Sequence, residues 1–381
     1  MKKKIVYISG SRADFGLMSG VLKLINSSSQ LELLIYATGM HLMPKFGLTI
    51  KDIDGFIPNV RKINAVFKDD SRTGMVNFSV DFSSKFLKQL ILDKPDLILV
   101  LGDRIEMLTA AVIAGYFGLP IAHVHGGDKT TTIDEIARHA ITKLSHLHFA
   151  ATEDSADRIK KLGEEEWRIH VVGAPSLDNV LSEQIPSRKE IYSFLTLSPD
   201  KKFILVVQHP VTNLIDASGD LIRETLNAVK EFNLPIVVVY PNADVGGQKI
   251  IKVIEEEKNN SNFRLFPSVE YKMFLGIEKI ASVWVGNSSA GIIESASFQT
   301  PVVNIGERQK GRPQSGNVIN VYYDKLEIMD AIKKSLFDSE YLKKIKKIKN
   351  VWGDGNTSSK IVSILENINF DQTLLNKQIT Y

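Results

Sequence analysis

Short apolar runs recur along the chain, each followed by a longer stretch in which apolar positions return every three or four residues. In the first half these runs occupy residues 5–9, 33–36, 96–101, 121–124, 147–150 and 169–172. Many are continuous and β-branched rather than alternating, the pattern of parallel strands covered on both faces. Amphipathic stretches at residues 16–25 and 105–116 lie between them. Residues 133–144 carry apolar side chains at 133, 136, 137, 140, 141 and 144, a stripe of helical period. This strand–helix alternation predicts a doubly wound α/β fold.

The rhythm breaks at residues 174–202, which include Pro175, Pro186 and Pro199, and then restarts. New strands are expected at 203–207, 236–240, 263–266, 282–285 and 302–305, again with helices between them. Two Rossmann-like domains follow, at residues 1–180 and 200–381, with the helical tail from Leu326 expected to pack back on the first. The lysine-rich residues 341–349 read as a solvated helix face. A length of 381 residues fits two domains at about 150 residues each.

Composition narrows the function. With 44% hydrophobic and 24% charged residues the chain is neither disordered nor collagen-like. Lys+Arg of 47 against Asp+Glu of 44 leaves +3, which argues against nucleic acid or a membrane surface as the main partner. The absence of cysteine excludes disulfides, thiolate catalysis and cysteine-ligated metals. Apolar runs such as 97–101 are too short to span a bilayer. The basic start, Lys2–Lys4, leads into too few apolar residues for a signal peptide, so a cytoplasmic protein is expected.

In open α/β sheets ligands bind beyond the carboxyl ends of the strands, at helix N-termini. After the first strand comes Gly10-Ser11-Arg12-Ala13-Asp14-Phe15-Gly16, where Arg12 is placed to bind a phosphate. After residues 96–101 comes Gly102-Asp103-Arg104. Here Asp103 is either a site carboxylate or a helix N-cap. His123-Val124-His125-Gly126-Gly127-Asp128 leaves another strand, and five of the eight histidines fall between His123 and His148. The following helix carries Asp134, Glu135, Arg138, His139 and Lys143 on its polar face. Thr132 with Glu135 fits a capping box, and Asp134/Arg138 and Glu135/His139 are i,i+4 pairs. The histidines lack the ligand spacing of a zinc site, so no metal is expected. Asp52-Ile53-Asp54, followed by Gly55, reads as a turn.

The second half carries a stronger phosphate signal. Gly286-Asn287-Ser288-Ser289-Ala290-Gly291 opens a helix, offering hydroxyl and backbone N–H donors to a diphosphate. Glu294, one turn further on, is placed to accept hydrogen bonds from ribose hydroxyls. Gln208-His209-Pro210, Pro241-Asn242-Ala243-Asp244 and the basic segment Gly306-Glu307-Arg308-Gln309-Lys310-Gly311-Arg312 leave strands at the same edge.

Taken together and in this order, these motifs resemble the hydrolysing UDP-N-acetylglucosamine 2-epimerases of sialic-acid-type sugar pathways. Gly10-Ser11-Arg12-Ala13-Asp14, Thr38-Gly39-Met40-His41, Gly102-Asp103-Arg104 and His125-Gly126-Gly127-Asp128 carry the likeness. So do Ile133-Asp134, Arg138-His139-Ala140-Ile141-Thr142-Lys143, Val172-Gly173-Ala174-Pro175, His209-Pro210-Val211-Thr212 and the second-half motifs, over residues 5 to about 320. The resemblance implies a two-Rossmann, glycosyltransferase-B-like fold with a UDP-sugar in the cleft between domains. It further implies that Arg12, Arg104, His209, Asn242, Ser288, Ser289, Glu294 and Arg308 hold UDP, with Ala13, Val269 and Asn287 in the same binding set. Asp103 and Asp134 would be the catalytic carboxylates. Animal members have Glu where this chain has His125, which leaves His125 and Asp128 both eligible as the second acid–base group, with His209 a further proton carrier. The segment Thr130-Thr131-Thr132 also lacks a glycine often found there in the family.

The implied reaction is UDP-N-acetylglucosamine plus water giving UDP and N-acetylmannosamine, by elimination and then hydration, without a cofactor. Alternatives are the same reaction on UDP-2,4-diacetamido-2,4,6-trideoxyglucose of legionaminic-acid pathways, a non-hydrolysing epimerase, a glycosyltransferase, and a non-catalytic UDP-sugar binder. A homodimer or homotetramer is the family expectation.

Overall fold

The computed structural model describes residues 2–381 except 58, 70, 131, 132, 183, 184 and 242–244, with the backbone alone for Ser182 and Thr212. The continuous apolar runs form strands because each lies between two layers. In β1 (Lys3–Ser9), Ile5 and Tyr7 enter one buried cluster while Val6 and Ile8 enter another on the opposite face. No polar face remains, which is why the run does not alternate.

The chain divides into two compact units. The first comprises Met1–Lys129, Ile133–Asn179 and Trp352–Tyr381; the second comprises Thr130–Thr132 and Val180–Val351. In the first, β1 is joined by β2 (Leu31–Ala37), β3 (Val60–Lys62), β4 (Leu97–Leu101), β5 (Ile121–Val124), β6 (Leu147–Ala150) and β7 (Ile169–Val171). All pair in parallel, in the order β3-β2-β1-β4-β5-β6-β7. The second unit contains β8 (Ile204–Val207), β9 (Ile236–Val239), β10 (Phe263–Phe266), β11 (Val283–Gly286), β12 (Val302–Ile305) and β13 (Val318–Val321). Its order is β10-β9-β8-β11-β12-β13, again parallel throughout. In both sheets the order reverses beside the first strand of the unit, the place where such sheets open a ligand crevice.

Several elements depart from the sequence expectation. The edge strands β3 and β13 carry Arg61, Lys62 and Asn320 in runs of three or four residues, too short and polar to stand out. The helix Arg72–Asp93 has a weak sequence signal, because only Phe78, Phe82, Phe86 and Leu90 form its buried line among serines and lysines. These phenylalanines stack face to face, with ring centroids 5.8 and 5.3 Å apart for the two successive pairs. Asp52-Ile53-Asp54 is not a turn but part of the helix Ile50–Asp54, with Gly55 at its C-cap.

The second unit ends at Val351, and Trp352–Tyr381 belongs to the first. The helix Thr357–Asn367 sends Ile361, Val362 and Leu365 into the core beneath β1 and the helix Arg12–Ser27. Its first turn is capped from a distance, as the Thr357 amide donates to Asp178 Oδ1 at 2.9 Å. At its other end Lys3 Nζ donates to the carbonyls of Leu365, Glu366 and Ile368 at 3.2, 2.7 and 2.7 Å. A cation among the last carbonyls satisfies groups that a helix end otherwise leaves open.

Candidate active site

The carboxyl edge of the first sheet is built from the loops after β1, β4 and β5. The β1 loop is closed by Asp14, whose Oδ2 accepts from the amides of Gly10 and Ser11 at 3.0 and 2.7 Å. Ser11 and Asp14 form a reciprocal capping box, so the helix starts at Arg12. Burial raises the Asp14 carboxyl from its ordinary value. Beneath it, His41 sits between Ser9 Oγ (2.9 Å) and Thr49 Oγ1 (2.7 Å), and burial lowers its pKa to about 4.

At the β4 loop, Gly102 takes φ +72° and turns the chain, and Arg104, not Asp103, occupies the N-cap of Ile105–Tyr116. The Asp103 carboxylate is therefore not spent on capping. It forms an ion pair with Arg138, which is buried on the helix Ile133–Leu144. Arg138 Nη1 also donates to the carbonyl of Asp128 at 2.7 Å, so one guanidinium joins the β4 and β5 loops. Asp134 lies one turn earlier on the same helix face. Arg104 Nη2 lies 3.2 Å from the buried carboxylate of Glu106.

The β5 loop holds a strained dyad. His125 adopts φ +62°, uncommon for a side-chain-bearing residue, and its Nδ1 lies 2.8 Å from Asp128 Oδ2. Asp128 Oδ1 accepts from Ser155 Oγ at 2.7 Å. Gly127 has φ +76°, and a Cβ there would stand 2.2 Å from the Ser155 carbonyl, so only glycine fits this turn. His123 plays no part at the surface: its Nε2 meets the Gly102 carbonyl at 2.7 Å and its Nδ1 meets Thr142 Oγ1 at 3.2 Å. Full burial holds it neutral, with its pKa lowered to about 3. His146 and His148 are likewise lowered by burial, and His148 Nε2 lies 3.0 Å from Glu164. Most of the histidine cluster is therefore core. Among the described residues no group of three His, Cys, Asp or Glu side chains is placed to hold a metal ion.

In the second unit Asn287 is the hub. Its Oδ1 accepts from the His209 amide at 2.7 Å and its Nδ2 donates to the His209 carbonyl at 2.9 Å, locking the β8 and β11 loops together. Its own carbonyl accepts from Arg308 Nη1 at 3.2 Å and Gln309 Nε2 at 2.9 Å, bringing in the β12 loop. Gly286 permits this junction, since a Cβ there would lie 2.0 Å from the Val207 carbonyl. Ser288 is the N-cap of Ser289–Ile293 without a side-chain capping bond, and both serines are only partly buried. The edge thus gathers hydroxyls, helix-start amides, an arginine and a histidine, a set suited to a diphosphate.

A family model described as UDP-N-acetylglucosamine 2-epimerase matches residues 23–366. The chain belongs to that family. Its curated relatives include the UDP-N,N'-diacetylbacillosamine 2-epimerase (hydrolyzing) of Legionella pneumophila, 38% identical with all of both chains covered. The GDP/UDP-N,N'-diacetylbacillosamine 2-epimerase (hydrolyzing) of Campylobacter jejuni is 33% identical over 99% of this chain and 98% of that one. The UDP-N-acetylglucosamine 2-epimerase of Neisseria meningitidis is 31% identical over 87% of each. Among solved structures, a UDP-GlcNAc 2-epimerase from Neisseria meningitidis superposes with a TM-score of 0.82 at 20% identity, covering 95% of this chain and 99% of that one. That likeness shows a fold of two Rossmann-like units of the glycosyltransferase-B-like class. The protein is a 2-epimerase of the hydrolysing type.

Within this epimerase the expected residues fall into two groups. Asp103, Arg104, His125, Asp128 and Asp134 lie at the carboxyl edge of the first sheet; His209, Asn287, Ser288, Ser289 and Arg308 lie at that of the second. Glu294 is buried at the junction of Ser289–Ile293 and Ser295–Phe298. Arg12 is held by Asp52, Nη2 to Oδ2 at 2.7 Å, and Ala13 is exposed beside it. Val269 follows β10 and enters the apolar cluster that contains Ile277 and Trp284. Asn242, and Thr132 of the expected capping box, lie outside the described residues. The sequence offers Arg138 a partner in Asp134 and a place in the family motif, but not its ion pair with Asp103. Ser155 carries no sequence signal, since its partner Asp128 is far away in the chain.

Proposed function

We propose that the enzyme acts on UDP-2,4-diacetamido-2,4,6-trideoxyglucose, the UDP form of N,N'-diacetylbacillosamine, releasing UDP and the free 2-epimerised sugar. The observation carrying this substrate over UDP-N-acetylglucosamine is the full-length similarity to relatives named for diacetylbacillosamine nucleotides. It exceeds the similarity to the meningococcal relative named for UDP-N-acetylglucosamine.

The reaction runs as elimination followed by hydration. The C2 proton of the sugar is only weakly acidic, since no carbonyl is attached to C2, so C1–O cleavage must lead, through an oxocarbenium-like transition state. The N–H groups at Ser288 and Ser289 and the Arg308 guanidinium stabilise the departing diphosphate. Asp103 or Asp134 takes the C2 proton, giving the glycal. Water then adds at C1, and C2 is protonated on the opposite face, which inverts that centre.

His125 is the proton carrier in this reading, and Asp128 orients it. Asp128 is 2% exposed and occupied by Ser155 and His125. With the His125 proton on Nδ1, directed at Asp128, Nε2 is left to exchange a proton with substrate or water. Arg12, Ala13, Arg104, His209, Asn242, Val269, Asn287 and Glu294 complete the binding set, and Arg12 would exchange Asp52 for phosphate. We further propose a cytoplasmic homo-oligomer. Exposed Val76, Val80 and Ile91, on one helix, and Tyr116 and Ile136, on neighbouring helices, support association through that layer. No helix among the described residues is long and apolar enough to cross a membrane.

The test is an NMR time course in D2O with each nucleotide sugar in turn. Expected is UDP together with free sugar deuterated at C2, formed faster from the diacetamido substrate. Faster turnover of UDP-N-acetylglucosamine would reverse the substrate assignment, and a UDP-linked epimer would overturn hydrolysis.

A further inference from the structure

Trp352 stands where the chain re-enters the first unit, and its side chain is fully buried. Its indole lies beside the imidazole of His125, with ring centroids 6.3 Å apart and planes inclined by 37°. That separation is within the range of a packed ring pair. The indole is held from its own backbone. The Trp352 carbonyl accepts from the Ala174 amide at 2.8 Å, and Thr357 Oγ1 donates to the Ala174 carbonyl at 3.3 Å. Gly173 and Gly353 take φ +97° and +139°, and a Cβ at Gly353 would stand 3.2 Å from the Gly173 Cα. The two segments therefore meet backbone to backbone, and Gly173-Ala174 seats the stretch that carries the indole.

The imidazole needs such a support. The contact of Nδ1 with Asp128 Oδ2 fixes one ring atom, and a single hydrogen bond leaves the ring free to pivot about it. The backbone of His125 is in the left-handed region, a strained conformation that persists only where its surroundings hold it. A fully buried indole beside the ring removes the pivot, because a close-packed interior gives the indole no room to yield.

We propose that Trp352 is a positioning residue for the reaction: its indole packs against His125 and holds the imidazole in the orientation in which Nε2 exchanges its proton. This rests on His125 being the proton carrier, as in the reading above, and adds a residue, distant in the chain, that acts through the imidazole alone.

Steady-state kinetics of the wild type, Trp352→Phe, Trp352→Leu, His125→Asn and the double variant His125→Asn/Trp352→Leu test it, on whichever nucleotide sugar the wild type turns over faster. Asparagine is chosen at 125 because it tolerates the left-handed backbone. Phenylalanine keeps a flat ring, so kcat should stay within about threefold of wild type. Leucine removes the ring, so kcat should fall about thirtyfold, with KM and the calorimetric UDP affinity within about threefold of wild type. In the His125→Asn background the same leucine should cost about twofold or less, since no imidazole remains to misplace. Three results would overturn the positioning role while leaving His125 in place: wild-type kcat in Trp352→Leu, phenylalanine losing as much as leucine, or an undiminished leucine loss in the His125→Asn background. Wild-type kcat in His125→Asn would instead remove the proton-carrier reading, and this proposal with it. Should the leucine variant not fold, or His125→Asn be too slow to measure, NMR of histidine-labelled protein decides, with the His125 ring signal assigned by its loss in His125→Asn. That signal should move in Trp352→Phe, whose ring current differs from that of indole, and an unmoved signal refutes the contact.

Discussion

Arg138, buried in the middle of a helix, forms an ion pair with Asp103 at the end of β4 and holds the Asp128 carbonyl after β5. One side chain thus sets the spacing of two loops that carry the acid–base groups. Replacing Arg138 by methionine keeps the packing volume and removes the charge. Breaking a buried pair on one side costs on the order of 3–5 kcal/mol. We expect a lower melting temperature and a kcat reduced about a hundredfold or more, measured by calorimetry and steady-state assay. Wild-type kcat in a folded Arg138→Met would remove Arg138 from the catalytic geometry.

The His125–Asp128–Ser155 chain predicts graded effects. Asp128→Asn keeps the shape but allows the His125 ring to present the wrong tautomer, so kcat should fall by about two to four orders of magnitude. Ser155→Ala removes a bond to the outer oxygen of Asp128 and the contact with Thr152 Oγ1 at 3.0 Å, and should cost about tenfold or less. Equal losses in the two variants would show that Ser155 acts on more than Asp128. The measurement is kcat of each variant relative to wild type under saturating substrate.

Asn287 should govern binding more than chemistry. Asn287→Ala leaves the His209 amide and carbonyl without their partner and unties the β8 loop from the β11 loop. The expected cost is about 1–3 kcal/mol for the stranded backbone groups, with weaker UDP binding and a smaller change in kcat. Titration calorimetry with UDP reads the first effect directly. Unchanged affinity would show that these loops hold their places without the asparagine bridge.

Acid should destabilise the fold through its core histidines. His123 is lowered from 6.5 to about 3, and His41 and His146 to about 4, chiefly by burial. The unfolded chain takes up these protons below about pH 6.5, whereas the folded chain does not until about pH 4 or 3. Stability is therefore whole above pH 6.5 and declines as pH falls from 6.5 toward 4. Each fully buried histidine contributes up to about 1.4 kcal/mol per pH unit. Melting temperature measured from pH 7.5 to 4.5 should show this slope, and His123→Asn should flatten it. A His123→Asn slope equal to that of the wild type would refute the contribution of His123.

Most strands and the site loops were legible in the sequence for a physical reason: a parallel strand covered on both faces must be a continuous apolar run, and the residue that ends it must turn. The runs that became β1, β4, β5, β8, β11 and β12 announced themselves in this way, and with them Asp103, His125, Ser288 and Arg308. Short polar edges such as β3 and β13 did not, because their pairing comes from a neighbouring strand rather than from their own side chains. Composition likewise excluded cysteine chemistry outright. Tertiary structure alone decided which histidines are fully buried and which only partly, since His123 and His125 stand two residues apart in the sequence yet differ in burial and backbone conformation. It alone joined Arg138 to Asp103 and Ser155 to Asp128, and placed the start of the tail that belongs to the first unit at Trp352. Those partners are distant in the chain, and the energy of a buried charge depends on what surrounds it, which no local pattern records.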